Sequence, residues 1–331
     1  METNSCFRTI FELSSVKKFL SYDSCILSNG SCFAALIGDQ LRSLGFSSLT
    51  NPFGTLYHPK AIKLLIEYAN HDRQFDEALI TEQGDIFYSW HHHSDLSTTD
   101  RSKIVNLIND VIIKLHATFV QSNVFFFTLG TAWYYKLKSN DQFVVNCHKH
   151  PSSKFTKHLS SVEDIQSNLQ DIVNTIQNVN EESTIVFTVS PVRHLKDGFI
   201  ENQLSKAALL VAVNSIVSAN EKVLYFPAYE IMMDDLRDYR FYADDMLHPN
   251  SVAQEYIWKR FQDWSMDADT KRIVQAVDRI KKAALHRPFN PESAAHQKFL
   301  QVQINLIDEL ESKHKGINLS QYKSIFSESL I

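Results

Sequence analysis

One six-residue apolar run, Val124 to Leu129, constrains the fold more than any other feature, and Gly130 ends it. A strand that is apolar on both faces is typical of a parallel sheet covered by helices on both sides. Weaker apolar runs precede and follow it, separated by amphipathic stretches at helical spacing. These runs span 24–28, 46–49, 184–189 and 223–226. The alternation of strand and helix predicts an α/β fold with a parallel sheet between two helical layers.

Two further patterns interrupt this alternation. Hairpins are predicted at 76–90 and 132–145, with turns at Gln83-Gly84-Asp85 and Ser139-Asn140-Asp141. After residue 265 the chain carries two long helical patterns, separated by Pro288 and Pro291. We therefore predict an α/β domain over residues 1–265 and a C-terminal helical extension over 266–331.

Composition excludes several classes of protein. The 331 residues include 38 acidic and 33 basic side chains, and the net charge of −5 is a poor match for nucleic acid or an anionic membrane. The four cysteines form no C-x-x-C pair, and the segment Met1 to Ser5 does not resemble a signal peptide, so we expect reduced thiols in the cytoplasm. Eight glycines, none two positions apart, exclude G-x-G-x-x-G, and we expect no cofactor.

Polar side chains follow the predicted strands, where a parallel sheet places its ligands. Ser31 lies where the first strand turns into a helix, whose N-terminus favours negative charge. Asp245 and His248 have a D-x-x-H spacing that lets an aspartate orient a histidine base for a serine nucleophile. The alternative for Ser31 alone is a helix N-cap, which is a common role for serine.

The stretch Gly30-Ser31-Cys32-Phe33-Ala34 carries the motif of the GSCFA-domain family, which is related to the SGNH (GDSL-like) hydrolases. Further stretches resemble blocks of that family, and the resemblance covers about residues 20–265. They are 51–55, 128–133, 146–149, 190–194 and 244–249. The resemblance implies a flavodoxin-like three-layer fold and a serine ester hydrolase. In it Ser31 matches the nucleophile, Gly54 an oxyanion donor, and Asp245 with His248 the D-x-x-H pair.

The sequence departs from the SGNH pattern at two positions. Gly30 stands where those hydrolases carry an aspartate, and Ala132 stands where they carry an asparagine that donates to the oxyanion. We predict that Asn146 supplies this donor, because the hairpin before it returns toward the end of the third strand. The predicted oxyanion hole thus consists of the Ser31 and Gly54 N–H groups and the Asn146 side chain, with Thr131 or Arg193 next in line.

Other polar residues at the same predicted edge are expected to contact the substrate. They are Thr131, His148, Arg193 and His194. No metal site is expected, because the consecutive histidines His91 to His93 would point to opposite faces of a strand. The aromatic run Trp133 to Tyr135 favours packing of a hairpin over stacking on a sugar.

The sequence therefore predicts a serine hydrolase that cleaves an ester-linked acyl group, with an acylated carbohydrate as the first candidate substrate. No nucleic acid, membrane or cofactor is expected to take part. Three alternatives stay open: acyl transfer to a sugar hydroxyl, a binding protein that keeps the fold with weak catalysis, and a phosphate-handling enzyme using Arg193 and Lys149.

Overall fold

A computed structural model describes residues 9–71 and 74–330. The expectations about Met1 to Ser5 and about Cys6 lie outside these residues. The strands are, in chain order, β1 Cys25–Gly30, β2 Ser47–Thr50, β3 Ile80–Gln83, β4 Ile86–Ser89, β5 Val124–Leu129, β6 Trp133–Leu137, β7 Phe143–Val144, β8 Phe155–Leu159, β9 Thr184–Val189 and β10 Val223–Tyr225. The helices are α1 Cys32–Ser43, α2 Pro59–Asn70, α3 Arg101–Gln121, α4 Val162–Val179, α5 Phe199–Ala219, α6 Ala228–Glu230, α7 Ser251–Ser265, α8 Ala268–Ala284, α9 Ala294–Lys313 and α10 Ser320–Glu328.

The central sheet has five parallel strands in the order β10-β9-β5-β1-β2. This is the flavodoxin-like order, in which strand order reverses between the first strand and its neighbour β5. The three-layer α/β fold expected from the sequence is confirmed. The crevice beyond the carboxyl ends of β1 and β5 is where this topology places a ligand.

The two faces of β5 explain its unbroken apolar sequence. Phe125 and Phe127 belong to a core beneath α2, α3, α4 and α5, whereas Val124 and Phe126 belong to a second core beneath α1 and α7. All six β5 residues are buried. Each fully buried phenylalanine contributes about 1.5–3 kcal/mol of transfer free energy, so this strand anchors both helical layers.

The segment expected as one hairpin at 132–145 is part of a three-stranded antiparallel sheet in the order β7-β6-β8. The strand β8 was not predicted. Its first residue, Phe155, packs with Tyr88 and Trp90 in a small separate core. This added sheet lies directly after β5, so it stands over the ligand edge of the central sheet.

The C-terminal segment packs on the α1 side of the sheet. Ile280 of α8, Ile307 of α9 and Phe326 of α10 are buried in the same core as Phe33 of α1. The helix α10 was not predicted, and it adds a third helix to the expected pair. The connection before it is tight, since a Cβ at Gly316 would lie 1.6 Å from the Tyr22 carbonyl oxygen.

Candidate active site

Ser31 lies at the carboxyl end of β1 and caps α1. Its hydroxyl oxygen accepts a hydrogen bond from the Phe33 N–H at 3.3 Å, and the residue is only 3% exposed. The N-cap role considered from the sequence is therefore present. The same position puts Ser31 at the crevice between β1 and β5.

Gly30 explains why the aspartate typical of SGNH hydrolases is missing before the serine. A Cβ at Gly30 would lie 2.3 Å from the Thr128 carbonyl oxygen, and the residue has a φ of +155°. The Gly30 N–H donates to the Asn51 side-chain oxygen at 2.9 Å. The close approach of β1 and β5 thus excludes any side chain at this position.

Asp245 and His248 form the pair that their spacing predicts. One Asp245 oxygen accepts from the N–H groups of Leu247 and His248, both at 2.9 Å, and the other lies 2.6 Å from His248 Nδ1. These hydrogen bonds, with the His248 N–H first, lower the pKa of the Asp245 carboxyl to about 2. An ionised carboxylate only accepts, so Nδ1 carries the proton and Nε2 of His248 is an acceptor.

The pair and the serine come from opposite ends of the α/β chain, and His194 lies in the loop after β9. The His194 ring packs on Tyr57 with centroids 5.0 Å apart. Burial first, and then the charges of Lys206 and His248, lower the pKa of His194 to about 4. Within residues 9–71 and 74–330, no hydrogen bond joins Ser31 to His248.

Both predicted backbone oxyanion donors already have protein partners. The Ser31 N–H donates to the Thr128 carbonyl at 3.2 Å, and the Gly54 N–H donates to the Asn51 carbonyl at 2.8 Å. Stabilising an oxyanion at these groups requires that both bonds be exchanged. The oxyanion roles of Ser31 and Gly54 stay a prediction that this geometry does not display.

Asn146 lines a cavity of about 350 Å³ at the ligand edge. Its side-chain oxygen accepts from the His148 N–H at 2.8 Å, which leaves its amide nitrogen available to a ligand. Aromatic rings and polar side chains both line the cavity. The lining includes Tyr57, His58, Thr131, Trp133, Tyr134, Tyr135, Phe143, Asn146, Lys149, His194 and Asp197.

Trp133 combines the packing expected from the sequence with a place in the cavity wall. Its indole N–H donates to the Glu201 carbonyl at 3.1 Å. The Lys157 ammonium lies 4.2 Å from its ring centroid and forms an ion pair with Asp197 at 2.6 Å. These contacts fix the ring against the helix side of the cavity.

The four residues predicted to contact substrate differ in what they offer. Arg193 donates to the Tyr242 hydroxyl at 3.0 Å, and no acid forms an ion pair with it in the part of the chain that the structure describes. Thr131 lies 3.1 Å from the Ser205 hydroxyl and lines the cavity with His194. Thr131 and His194 thus share the cavity with Asn146, whereas Arg193 is held by Tyr242.

His148 differs from the expectation. Its Nδ1 bonds the Ser94 hydroxyl and its Nε2 bonds the Ser89 carbonyl, each at 3.0 Å. Its ring packs on Tyr88 with centroids 4.1 Å apart, and burial lowers its pKa to about 4. In this geometry His148 offers no free ring nitrogen to a substrate, because it holds the loop after β7 against β4.

Three polar residues on one face of α5 were missed by the sequence interpretation. Asn202, Ser205 and Lys206 are buried, with exposures of 3%, 2% and 0%. Asn202 accepts from the His194 N–H at 2.9 Å, and Ser205 accepts from the Ala132 N–H at 2.7 Å. Their i, i+3, i+4 spacing places them on one face of the helix, in line with the buried Leu209 and Val213, and was the available signal.

The described residues contain no group of histidine, cysteine or acidic side chains that would hold a metal ion. None of their helices is long and apolar enough to cross a membrane. Of the consecutive histidines, His92 is fully buried among aromatic rings, whereas His93 pairs with Asp95 at 3.0 Å.

Comparisons with known proteins identify a family and include a distant structural likeness. A crystal structure of a serine-to-alanine mutant of an acetyl esterase with acetate ion matches with 14% identity and a TM-score of 0.27. The match covers 48% of this chain and 61% of that one, less than two thirds of its length. A search of curated proteins finds no match. The GSCFA family model matches residues 25–261, and the model of the GSCFA domain protein C-terminal domain matches 277–331. The chain belongs to the GSCFA family.

Proposed function

We propose that the protein is a serine hydrolase that cleaves an ester-linked acyl group through an acyl-enzyme. The observation that carries the proposal is the Asp245–His248 pair, in which three hydrogen bonds hold the carboxylate and one of them orients the imidazole. An aspartate that fixes the Nδ1–H tautomer leaves Nε2 as a general base. The His248 side chain is 43% exposed, so Nε2 is open to a reacting group.

The chemistry follows the serine hydrolase pattern. His248 Nε2 takes the Ser31 hydroxyl proton as Ser31 Oγ forms a bond to the acyl carbon, and the carbonyl oxygen becomes an oxyanion. The oxyanion collapses, the bond to the alcohol oxygen breaks, and His248 returns the proton to the leaving alcohol. Water, deprotonated by the same histidine, then releases the acid and restores Ser31.

The geometry of the free protein requires an adjustment before this reaction. Ser31 must turn its hydroxyl from the Phe33 N–H toward His248, because the two are not hydrogen-bonded in the structure. Catalytic hydrogen bonds are often long or misaligned without substrate and form only in the complex. We propose that this cavity receives the alcohol part of the ester, and an acylated carbohydrate suits its combination of aromatic rings and polar side chains.

A fluorophosphonate probe followed by peptide mapping tests the proposal. We expect the probe to label Ser31 in the intact protein and to leave a Ser31→Ala variant unlabelled. Asp245→Asn should lower the labelling rate by roughly 10²–10⁴-fold with the fold intact, because the wrong tautomer then dominates. Asp244→Asn is the matched control, since it is an exposed neighbouring aspartate. Labelling of a residue other than Ser31 contradicts the proposal. Equal labelling rates of the Asp245→Asn and Asp244→Asn variants contradict it as well.

A binding protein with weak catalysis is the second candidate. The observation that favours it is the engagement of the Ser31 and Gly54 N–H groups by protein carbonyls. Saturable binding of acylated sugars without turnover, together with an unreactive Ser31, would select this candidate over the hydrolase.

A further inference from the structure

The most unusual charged group in the molecule is the Lys206 ammonium. Lys206 lies in α5, is 0% exposed, and donates to the carbonyl oxygens of Gly130 and Ser190, both at 2.8 Å. The Lys206 ammonium also lies over the Tyr229 ring, with Nζ 5.8 Å from the ring centroid. Burying an ammonium without an acidic partner costs free energy, and hydrogen bonds from its N–H groups offset part of that cost.

The two carbonyls that Lys206 binds begin the loops of the candidate site. Gly130 directly follows β5, and its own N–H donates to the Tyr57 carbonyl at 2.8 Å. Ser190 directly follows β9, and its N–H donates to the Leu129 carbonyl at 2.8 Å. One ammonium therefore joins the loop that carries Thr131 to the loop that carries Arg193 and His194.

The charge of Lys206 is not neutralised by a neighbouring carboxylate. The titratable groups that face it are Arg193 and His194 from the loop after β9 and Tyr229 from α6. Burial, and then the charge of Arg193, lower the pKa of Lys206 to about 7. Two cations at the carboxyl ends of β5 and β9 favour negative charge in the adjacent crevice.

We propose that Lys206 is a positioning residue of this site, which joins the loops after β5 and β9 and, while protonated, places a positive charge behind Arg193 and His194. This inference rests on the proposed hydrolase function. Its consequence for the chemistry is that the crevice favours the oxyanion over the neutral ester. Loss of the Lys206 proton removes that advantage and weakens both carbonyl contacts together.

Two variants separate the charge from the hydrogen bonds. Lys206→Met keeps the length of the side chain and removes both, whereas Lys206→Gln keeps a donor and removes the charge. Lys259→Met is the matched control, because Lys259 is exposed on α7. The readouts are the rate of Ser31 labelling by a fluorophosphonate between pH 5.5 and 9, and amide hydrogen exchange at Thr131 and His194.

We expect labelling of the wild-type protein to slow as the pH rises above about 7, because Lys206 loses its proton. Lys206→Met should label at least tenfold more slowly at pH 6.5, exchange faster at both amides, and show no slowing at high pH. The labelling rate of Lys206→Gln should likewise show no slowing at high pH. The Thr131 and His194 amides of this variant should exchange more slowly than those of Lys206→Met. A folded Lys206→Met that labels within twofold of wild type, or that keeps the alkaline slowing, overturns the proposal.

The outcomes stay separable from those of the proposed function. If wild-type Ser31 is unreactive at every pH, the hydrolase proposal fails, and the exchange measurement alone decides whether Lys206 positions the loops. Unchanged exchange at both amides in a folded Lys206→Met overturns the positioning role. If neither variant folds, the wild-type profile decides, since labelling that does not slow between pH 7 and 9 contradicts a required charge on Lys206.

Discussion

His92 offers the sharpest test of how burial controls a titratable group in this protein. Its ring is fully buried, and both ring nitrogens lack a hydrogen-bond partner within the described chain. Phe53, Phe75 and Tyr68 surround it, with ring centroids 4.4, 5.2 and 5.9 Å away. Burial, followed by the charges of His91 and His148, lowers its pKa from 6.5 to about 3.

The change is His92→Phe, which places an apolar ring among apolar rings. Removing unsatisfied buried polar atoms is worth about 1–3 kcal/mol, so the free energy of unfolding should rise at pH 7. The pH dependence of the free energy of unfolding gives a second magnitude, which is independent of packing. Below pH 6.5 the unfolded chain protonates this histidine while the folded chain does not, so stability falls as pH falls.

The size of that loss follows from the pKa difference. Each pH unit between the two pKa values costs about 1.4 kcal/mol, and pH 5 lies about 1.5 units below the unfolded value. Wild type should therefore lose about 2 kcal/mol between pH 7 and 5 through His92 alone. The advantage of His92→Phe should grow by that amount, whatever the new ring costs in packing, because packing does not depend on pH.

Urea unfolding at pH 7 and pH 5 measures both terms. His286→Phe is the control for the same substitution at an exposed position, since His286 lies just beyond the end of α8. An advantage of His92→Phe that is equal at the two pH values would refute the reasoning, because it would mean that folded His92 binds a proton as readily as the unfolded chain.

Two further predictions concern the candidate site. Gly30→Ala should lower the free energy of unfolding by more than about 3 kcal/mol in urea unfolding, because its Cβ would lie 2.3 Å from a backbone oxygen of β5. Gly84→Ala, at a hairpin turn with nothing within 4 Å of its Cβ, should cost only about 1 kcal/mol, and an equal loss in both would count against the steric argument. Asn146→Ala should slow turnover of a confirmed ester substrate by roughly 10²–10³-fold if its amide binds the oxyanion, whereas Asn140→Ala at the exposed β6–β7 turn should not. Unchanged kcat in Asn146→Ala would remove Asn146 from the oxyanion hole.

The elements that were predicted correctly are those in which the pattern of apolar residues matches the buried faces of the strand or helix. The strand β5 is apolar at every position but Thr128 because it is covered on both faces, and its predicted bounds match the structure. The strand β8, Phe155–Leu159, was missed because Phe155 is its only buried residue and its pairing with β6 is a long-range event. The helix α10 was missed because only Tyr322 and Phe326 of its residues are buried apolar ones.

The same distinction applies to the candidate site. Asp245 and His248 are three residues apart, so a single turn settles their contact. The partners of the Ser31 and Gly54 N–H groups depend on where carbonyls of other segments lie, and residue spacing does not give that. Lys206 looks like an ordinary polar position of a helix until the fold buries it.

The packing of the C-terminal helices on α1 sets the order in which this protein can mature. Protein synthesis delivers the N-terminal strands first, and the strands and helices of residues 25–265 leave the ribosome before Ile307 and Phe326 exist. Until then the α1 side of the sheet, including Phe33 and Ile37, lacks part of its cover. The nascent chain therefore exposes part of this apolar surface until the C-terminal helices have been synthesised and can pack on it.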